Sequence, residues 1–149
     1  VMSRLAAADV VVLAAAVADY QPAHQEAHKI AKTAETLTVT LTRTPDILAE
    51  IGRWRKEHGG QRPAIVGFAA DTQDTVASAT RKRAAKGADL IVANDVLQDG
   101  AGFESDTNIV TMIGPDSSEP LPIQSKGSIA GLILDRIEAL LGDRGPAQS

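Results

Sequence analysis

The sequence predicts an α/β fold, a mostly parallel sheet flanked by helices and extended by a flap and a hairpin. Three short apolar runs, over residues 10–18, 64–70 and 89–93, carry the prediction. Runs of this length without polar alternation are typical of strands buried on both faces. Helical patterns separate the last two runs, and this order of strand, helix and strand implies crossover connections in a parallel sheet.

Segments of different predicted structure lie on either side of the first apolar run. Residues 1–8 resemble the end of a helix, and the polar residues 21–34 predict an exposed flap. Residues 37–43 alternate strictly between apolar and polar side chains, which predicts a strand with one buried face. The chain begins inside an element, with no Gly-rich turn before its first strand. We therefore expect one domain over 1–149 that lacks an upstream first strand and turn.

The helices carry recognisable start and stop signals. Thr44 and Pro45 predict a helix start, with Thr44 as the N-cap and Pro45 in the first helical position. Gly59 and Gly60 end that helix, and Gly87 ends a second helix over residues 75–86. A hairpin is expected between 109–113 and 121–123. Ser125 then caps a final helix over about 127–141.

Composition limits the function classes. The 149 residues are 44% hydrophobic and 23% charged, as in a globular domain. A net charge of −4, with one Trp, one Tyr and two Phe, argues against a nucleic-acid partner. The apolar runs are too short to span a membrane. The absence of Cys excludes a disulfide framework and is consistent with a cytoplasmic location.

Polar residues follow the three apolar runs. Asp19, Asp71 and the pair Asn94 and Asp95 come directly after them. Parallel strands place their carboxyl ends on one rim, where ligands bind in such sheets. Each polar end alone is equally consistent with an ordinary turn. Together they predict a crevice in which an Asp could hold Mg²⁺ beside bound phosphates.

Cations form a second group of candidates. Lys82 and Lys86 are four residues apart and share a helix face. A solvated surface is the plainer interpretation of such a charge run. Lys29 and Lys32 lie in the flap, where lysines can close over an anionic ligand.

The turn before the first long helix is a third candidate. Its free N–H groups suit an anion or a hydroxyl, but the carboxylate of Asp46 would repel a phosphate. Ribose hydroxyls therefore fit better, and simple capping explains the turn equally well. His24 and His28 have a spacing that could bind metal on a helix, although surface positions are the simpler explanation.

Seven motifs in order carry a resemblance. They are AAAVADYQP (14–22), KIAK (29–32), TPDIL (44–48), GFAADT (67–72), KxxxK (82–86), DLIVANDV (89–96) and GFESDTN (102–108). In this arrangement the chain resembles the phosphopantothenate–cysteine ligase domain of the bacterial bifunctional coenzyme A biosynthesis protein, nearest to its actinobacterial form. The resemblance covers nearly the whole chain.

The resemblance implies a Rossmann-like, homodimeric, CTP- and Mg²⁺-dependent ligase. 4′-Phosphopantothenate would attack the α-phosphate of CTP to give an acyl-cytidylate and pyrophosphate. L-Cysteine would then displace CMP to form 4′-phosphopantothenoylcysteine. A flavin-dependent decarboxylase would be fused upstream. A non-catalytic or dinucleotide-binding Rossmann-type module is the alternative.

The resemblance also implies site residues. Lys29 would be catalytic, and Asp19 would bind the metal. Asn94 and Asp95, which share the rim, remain candidates for contacting the other substrates. The CTP site would consist of Ala15, Ala16, Asp19, Lys29, Pro45, Asp46, Ile47, Leu48, Phe68, Lys82 and Lys86. Two departures from the family pattern stand out: Ala31 replaces a common Lys, and Asp71 replaces a common Glu.

Overall fold

The computed structural model describes residues 1–15, 17–30, 35–71, 75–95 and 105–144. A 3₁₀ helix, Met2–Ala7, precedes the first strand. The strands in chain order are Val10–Leu13 (β1), Tyr20–Pro22 (β2), Leu41–Arg43 (β3), Ala64–Asp71 (β4), Leu90–Asp95 (β5), Thr107–Asn108 (β6), Val110–Ile113 (β7), Ser118–Pro120 (β8) and Gln124–Ser125 (β9). The α-helices are Ile47–Glu57 (α1), Thr75–Lys86 (α2) and Lys126–Gly142 (α3).

The main sheet has the strand order β1-β4-β5-β7-β8. β1, β4 and β5 are parallel, whereas β7 and β8 join in antiparallel orientation. Two small antiparallel pairs, β2–β3 and β6–β9, lie outside this sheet. The predicted α/β class, with a mostly parallel sheet flanked by helices, is confirmed.

Helices cover both faces of the sheet. Ile51 of α1 and Ala79 of α2 pack with alternate residues of β4 and β5, including Ile65 and Ile91. The other face packs against α3 through its buried residues Ile129, Ile133 and Ile137. The period of two along β4 and β5 therefore sends successive side chains to different helices. Their apolar runs are continuous because both faces are covered.

The first apolar run forms a shorter strand than the sequence predicts. β1 ends at Leu13, and its four residues pair only with residues 64–67 of β4. None of these four residues is fully buried, and Val17 further along the run is 55% exposed. Within the described residues β1 has one neighbouring strand, so its other edge is open. The predicted extent of the strand, over 10–18, is therefore wrong. Its two faces are partly covered, since Val11 and Leu13 pack against one core cluster and Val10 packs against the other.

The predicted flap contains a strand that the sequence analysis missed. β2 pairs with β3, and this pair is named here the β2–β3 arm. The alternating segment 37–43 forms regular structure only at Leu41–Arg43, and both of its faces are exposed. Leu37, Val39 and Leu41 are each more than half exposed. The prediction of one buried face fails because no other element of the described chain covers the arm.

Capping at the helix ends follows the sequence with one correction. The N-cap of α1 is Asp46, whose carboxylate accepts the N–H of Ala49 at 3.1 Å. Thr44, the predicted cap, instead donates its hydroxyl to the carbonyl oxygen of Ala18 at 2.5 Å. α2 and α3 agree with the sequence, since Gly87 has a φ of 65° and Ser125 accepts the N–H of Ser128.

The hairpin is tighter than predicted. β7 corresponds to the expected first strand, but its partner β8 covers Ser118–Pro120 instead of 121–123. The N–H of Gly114 donates to the carbonyl oxygen of Ser117 at 2.9 Å, which closes the turn early. Leu121 passes beyond the strand and packs against the core under α3.

Candidate functional site

A cavity of about 420 Å³ opens at the carboxyl ends of β1 and β4. The end of β1, the turn before α1, the second half of β4 and the last turns of α2 all contribute to its wall. The lining residues are Leu13, Ala15, Val17, Asp19, Thr44, Pro45, Asp46, Ile47, Leu48, Gly67, Phe68, Ala69, Ala70, Lys82 and Lys86. Residues that are distant in the sequence therefore share one concave surface at the expected rim.

Most of the sequence-predicted nucleotide residues line this cavity. They are Ala15, Asp19, Pro45, Asp46, Ile47, Leu48, Phe68, Lys82 and Lys86. Lys29 is exposed and is not among the lining residues, so its assignment as catalytic stays a prediction. Ala16 and Lys32 lie outside the described residues.

Two hydrogen bonds bring the end of the first apolar run to the start of α1. The hydroxyl of Thr44 donates to the carbonyl of Ala18, and the N–H of Thr44 donates to the carbonyl of Asp19 at 3.0 Å. Thr44 thus holds the backbone carbonyls of Ala18 and Asp19, which places Asp19 beside the start of α1. The Thr in the TPDIL motif serves to assemble the site, and Asp46 alone serves as the cap.

A glycine in β4 allows close packing on one side of the cavity. A Cβ on Gly67 would lie 2.8 Å from both Leu48 Cδ2 and Ile91 Cδ1. Only a residue without a side chain lets Leu48 approach the strand this closely. Sequence analysis overlooked Gly67, although an isolated Gly inside an apolar run signals such an approach.

An ion pair links the two helices of the cavity wall. Lys86 Nζ lies 3.2 Å from Asp46 Oδ2, and both side chains remain partly exposed. Burial acts to raise the pKa of the Asp46 carboxyl, but the N–H of Ala49 and the ammonium of Lys86 outweigh it and lower the pKa below its usual value. Asp46 is therefore a carboxylate that already neutralises part of the helix N-terminus.

The basic stretch of α2 divides into different environments. Lys82 and Lys86 line the cavity, which agrees with their predicted common face. Arg83 donates to the carbonyl oxygen of Ala88 at 3.2 Å, and Arg81 is exposed. Arg81 is therefore an ordinary solvated surface charge, whereas Lys82 and Lys86 belong to the wall of the cavity.

The polar ends of β4 and β5 lie side by side, as expected for parallel neighbours. Asp71 pairs in register with Asp95, and Ala70 with Asn94. The side chains of Asp71 and Asp95 lie outside the described part of the structure. Asn94 Oδ1 is buried and has no hydrogen-bond partner.

The described residues contain no group of three or more His, Cys, Asp or Glu side chains that could hold a metal ion. His24 and His28 are exposed in an irregular segment, so their four-residue spacing does not place them on one helix face. The hypothesis that His24 and His28 bind a metal required a helix at these residues, and the structure has none there. Asp19 remains the metal candidate, as a carboxylate on the cavity wall.

A larger cavity, of about 670 Å³, lies at the opposite end of the strands. Its arginines are committed to structural partners: Arg62 to Asp9, and Arg144 to Asp89. Ligands of parallel sheets bind at the carboxyl ends, so the smaller cavity is the better candidate site. No helix within the described ranges is both long and apolar enough to span a bilayer.

Curated proteins are similar to this chain in sequence. The chain is 48% identical over 141 residues to the coenzyme A biosynthesis bifunctional protein CoaBC of Bacillus subtilis (strain 168), covering 94% of this chain and 34% of that protein. It is 38% identical over 144 residues to the CoaBC protein of Vibrio vulnificus (strain YJ016), covering 95% and 35%. The chain thus spans about a third of the length of these relatives.

A solved structure agrees with the sequence comparison. The crystal structure of the C-terminal domain of a coenzyme A biosynthesis bifunctional protein CoaBC matches with a TM-score of 0.72 and 37% identity, covering 95% of this chain and 61% of that one. Residues 1–141 match the family model for the DNA/pantothenate metabolism flavoprotein C-terminal domain. With fold, rim cavity and sequence in agreement, the chain belongs to the family of DNA/pantothenate metabolism flavoprotein C-terminal domains.

Proposed function

We propose that this chain forms part of a coenzyme A biosynthetic enzyme that ligates L-cysteine to 4′-phosphopantothenate with CTP. In the first step a carboxylate oxygen bonds to the α-phosphorus, and the bond to pyrophosphate breaks. In the second step the cysteine nitrogen bonds to the acyl carbon, loses a proton and expels CMP. The protein in which this chain occurs would carry the flavin-dependent decarboxylase upstream.

The observation that carries the proposal is the assembly of the rim cavity. Nine of the residues expected to bind CTP meet there from four separate segments of the chain. The reaction needs no side-chain nucleophile, so its rate depends on positioning and electrostatic stabilisation. A cavity with two lysines, a helix start and a strand floor of small residues supplies both.

Charge along the cavity suggests how the nucleotide lies. Lys82 and Lys86 would offset the triphosphate and the departing pyrophosphate. Asp46 caps α1 with its carboxylate, which disfavours a phosphate at that helix end and favours a ribose hydroxyl. Phe68, which is 40% exposed at the rim, offers an apolar surface to the base.

The donor set on the cavity wall fits Mg²⁺ in one respect. Mg²⁺ commonly takes one or two carboxylates together with phosphate oxygens, and Asp19 supplies a carboxylate at this rim. When bound, the ion would withdraw charge from the phosphates. Asp19 would hold the nucleotide complex beside the turn before α1.

Pyrophosphate release tests the proposal in the full-length protein that contains this chain. Wild type should release pyrophosphate from CTP only when phosphopantothenate is present. We expect Lys82→Ala and Lys86→Ala each to lower kcat/KM for CTP roughly 100-fold, the scale of losing one stabilising donor. Arg81→Ala is the matched control, since Arg81 is a cation of the same helix outside the cavity lining.

Lys29 can be tested in the same assay. Lys29→Ala should slow turnover without changing the melting temperature, because Lys29 is exposed and outside regular structure. Unchanged turnover would remove its catalytic assignment.

For Asp19→Asn we expect weaker Mg²⁺-dependent CTP binding. Equal affinity for CTP across a Mg²⁺ titration would exclude Asp19 as the metal ligand.

The alternative is a non-catalytic or dinucleotide-binding module. A ligand that binds only the native state raises the melting temperature. Stabilisation by CTP with Mg²⁺ but not by NAD(P)H supports the ligase. The reverse result supports the alternative.

A homodimer is part of the same proposal, and the β2–β3 arm is its candidate interface. Leu41 of the arm is 54% exposed, and Leu37 and Val39 in the segment that leads into β3 are 66% and 53% exposed. Exposed apolar clusters of this kind mark contact surfaces. Leu37→Ser combined with Val39→Ser should shift sedimentation toward the monomer. Leu134→Ser on α3, where Leu134 is 61% exposed, should not do so.

A further inference from the structure

The base of the β2–β3 arm continues into the rim cavity. β2 and β3 pair in register over Tyr20–Pro22 and Leu41–Arg43. The next position along both strands keeps this register, because the N–H of Thr44 donates to the carbonyl oxygen of Asp19 at 3.0 Å. Asp19 and Thr44 therefore form the innermost pair of the arm, and both residues line the cavity.

The alternation of side chains gives the arm two different faces. Partners in an antiparallel ladder share a face, and the next pair along the ladder lies on the opposite face. Asp19 and Thr44 thus share their face with Gln21 and Thr42, whereas Leu41 lies on the opposite face. Because Asp19 and Thr44 line the cavity, the polar face of the arm is the face turned toward the proposed nucleotide site.

The hydroxyl of Thr44 adds a constraint that the ladder does not supply. It donates to the carbonyl oxygen of Ala18 at 2.5 Å, one residue beyond the paired position. Ala18 and Asp19 lie between β1 and β2 and belong to neither strand. Thr44 therefore holds two successive carbonyl groups of a segment that has no regular structure of its own.

The neighbours of Thr44 fix the position from which it holds this segment. Pro45 follows it directly, and the proline ring restricts the φ angle there. Asp46 then caps α1 through the N–H of Ala49 at 3.1 Å, and α1 packs on the sheet through Ile51. Thr44 is thus tied to the core, whereas the segment that it holds depends on its two hydrogen bonds.

We propose that Thr44 is a positioning residue for the reaction. Its hydroxyl fixes the backbone at Ala18, and so fixes the place from which the carboxylate of Asp19 reaches the complex of CTP and Mg²⁺. Thr44 acts through Asp19 and not by contacting the nucleotide. This inference rests on the proposed function, because it takes Asp19 as the residue that binds the metal.

The test is Thr44→Val in the full-length protein, with CTP binding measured by calorimetry across a Mg²⁺ titration. Val keeps the shape and the backbone N–H but has no hydroxyl. We expect CTP affinity in saturating Mg²⁺ to fall about three- to tenfold, the scale of one hydrogen bond, and affinity without Mg²⁺ to stay unchanged. Thr44→Ser restores the donor and should bind as wild type does. Thr42→Val is the matched control on the same face of the arm and should also bind as wild type does.

A double-mutant cycle determines whether Thr44 acts through Asp19. Thr44→Val should add no further loss of CTP affinity in an Asp19→Asn background, since the carboxylate that Thr44 positions is already gone. Additive losses would overturn the proposal, because Thr44 would then act independently of Asp19. An equal loss of affinity with and without Mg²⁺ would overturn it as well.

Thermal melting without ligand separates positioning from a structural role. The hydroxyl bond of Thr44 lies in an exposed setting, so Thr44→Val should melt within about 4 °C of wild type. A larger drop, absent in Thr42→Val, assigns Thr44 a structural role and overturns the proposal.

The wild-type protein distinguishes the two possible failures. If wild type releases pyrophosphate in the presence of phosphopantothenate while Thr44→Val binds CTP normally, only the inference on Thr44 fails. If wild type releases no pyrophosphate under any condition, the proposed function fails, and the inference on Thr44 fails with it.

Discussion

Asp46 illustrates how a single residue serves structure and site together. Its carboxylate caps α1 through the N–H of Ala49 and pairs with Lys86 from α2. The cap fixes where α1 begins, and the ion pair holds a lysine at the wall of the rim cavity. An anionic ligand that displaces Asp46 from Lys86 would leave the Asp46 carboxylate stabilised by the N-terminus of α1.

We predict that Asp46→Ala lowers the free energy of unfolding by about 1 kcal/mol at pH 7, as for other lost N-caps. The pKa of Asp46 is lower in the folded protein than its usual 3.8. The ionised carboxylate therefore stabilises the fold above that value, and this stabilisation is lost as the pH falls through the folded pKa. Urea unfolding at several pH values should show the difference from wild type shrinking below about pH 4.

Asp46→Asn provides the control for charge. The amide oxygen still caps the helix, so the loss at pH 7 should be smaller than for Asp46→Ala. This loss should approach zero at low pH, because wild type then loses its ionic contribution. An equal loss for Asp46→Ala at pH 7 and pH 3 would contradict the ionic contribution.

Among the elements, α1 and α2 must approach closely for their ends to share the cavity. A Cβ on Gly52 of α1 would lie 2.0 Å from the carbonyl oxygen of Lys86. The helices can touch at this point only because residue 52 has no side chain. The contact explains why a helix interior contains a residue that disfavours helix formation.

We predict that Gly52→Ala lowers the free energy of unfolding by about 1–3 kcal/mol, because the added methyl forces the two helices apart. Lys86 moves with α2, so KM for CTP should rise as well. Gly131→Ala in α3 is the control, since a Cβ there meets no heavy atom within 4 Å. It should gain up to about 1 kcal/mol from helix propensity. Equal urea midpoints for the two variants would rule out the steric argument.

At the scale of the whole molecule, a buried acid joins the layers at the end opposite the cavity. Asp89 accepts from Arg55 of α1, from Arg144 after α3 and from the N–H of Ile65 at 2.7 Å. Arg55 also donates to the carbonyl oxygen of Gly87 at 2.6 Å. This cluster fixes helices on both faces to the starts of β4 and β5, and so leaves the other rim free for a ligand.

We predict that Asp89→Ala destabilises the fold by about 3–5 kcal/mol, because two largely buried guanidinium groups lose their partner. Glu119→Ala breaks the pair with Arg136, in which both side chains are about half exposed, and should cost less than about 1 kcal/mol. Thermal melting of the two variants compares them directly. Similar melting temperatures would show that the Asp89 cluster contributes no more than a surface pair.

The sequence alone determined the order of the main elements. Apolar runs located β4 and β5 because both faces of those strands are covered, and Gly87 and Ser125 marked helix ends because their local chemistry suffices. The same patterns overestimated the length of β1 and the burial of β3. Both depend on neighbouring elements that a local pattern does not contain, and no such element covers β3 in the described structure.

The site divides in the same way. The spacing of Lys82 and Lys86 was enough to place them on one helix face, since helix geometry is local. Only the tertiary structure decided that this face meets Asp46, that Thr44 tethers Asp19, and that Asn94 remains without a partner. These relations join segments far apart in the chain, and packing against the sheet, not sequence distance, brings them together.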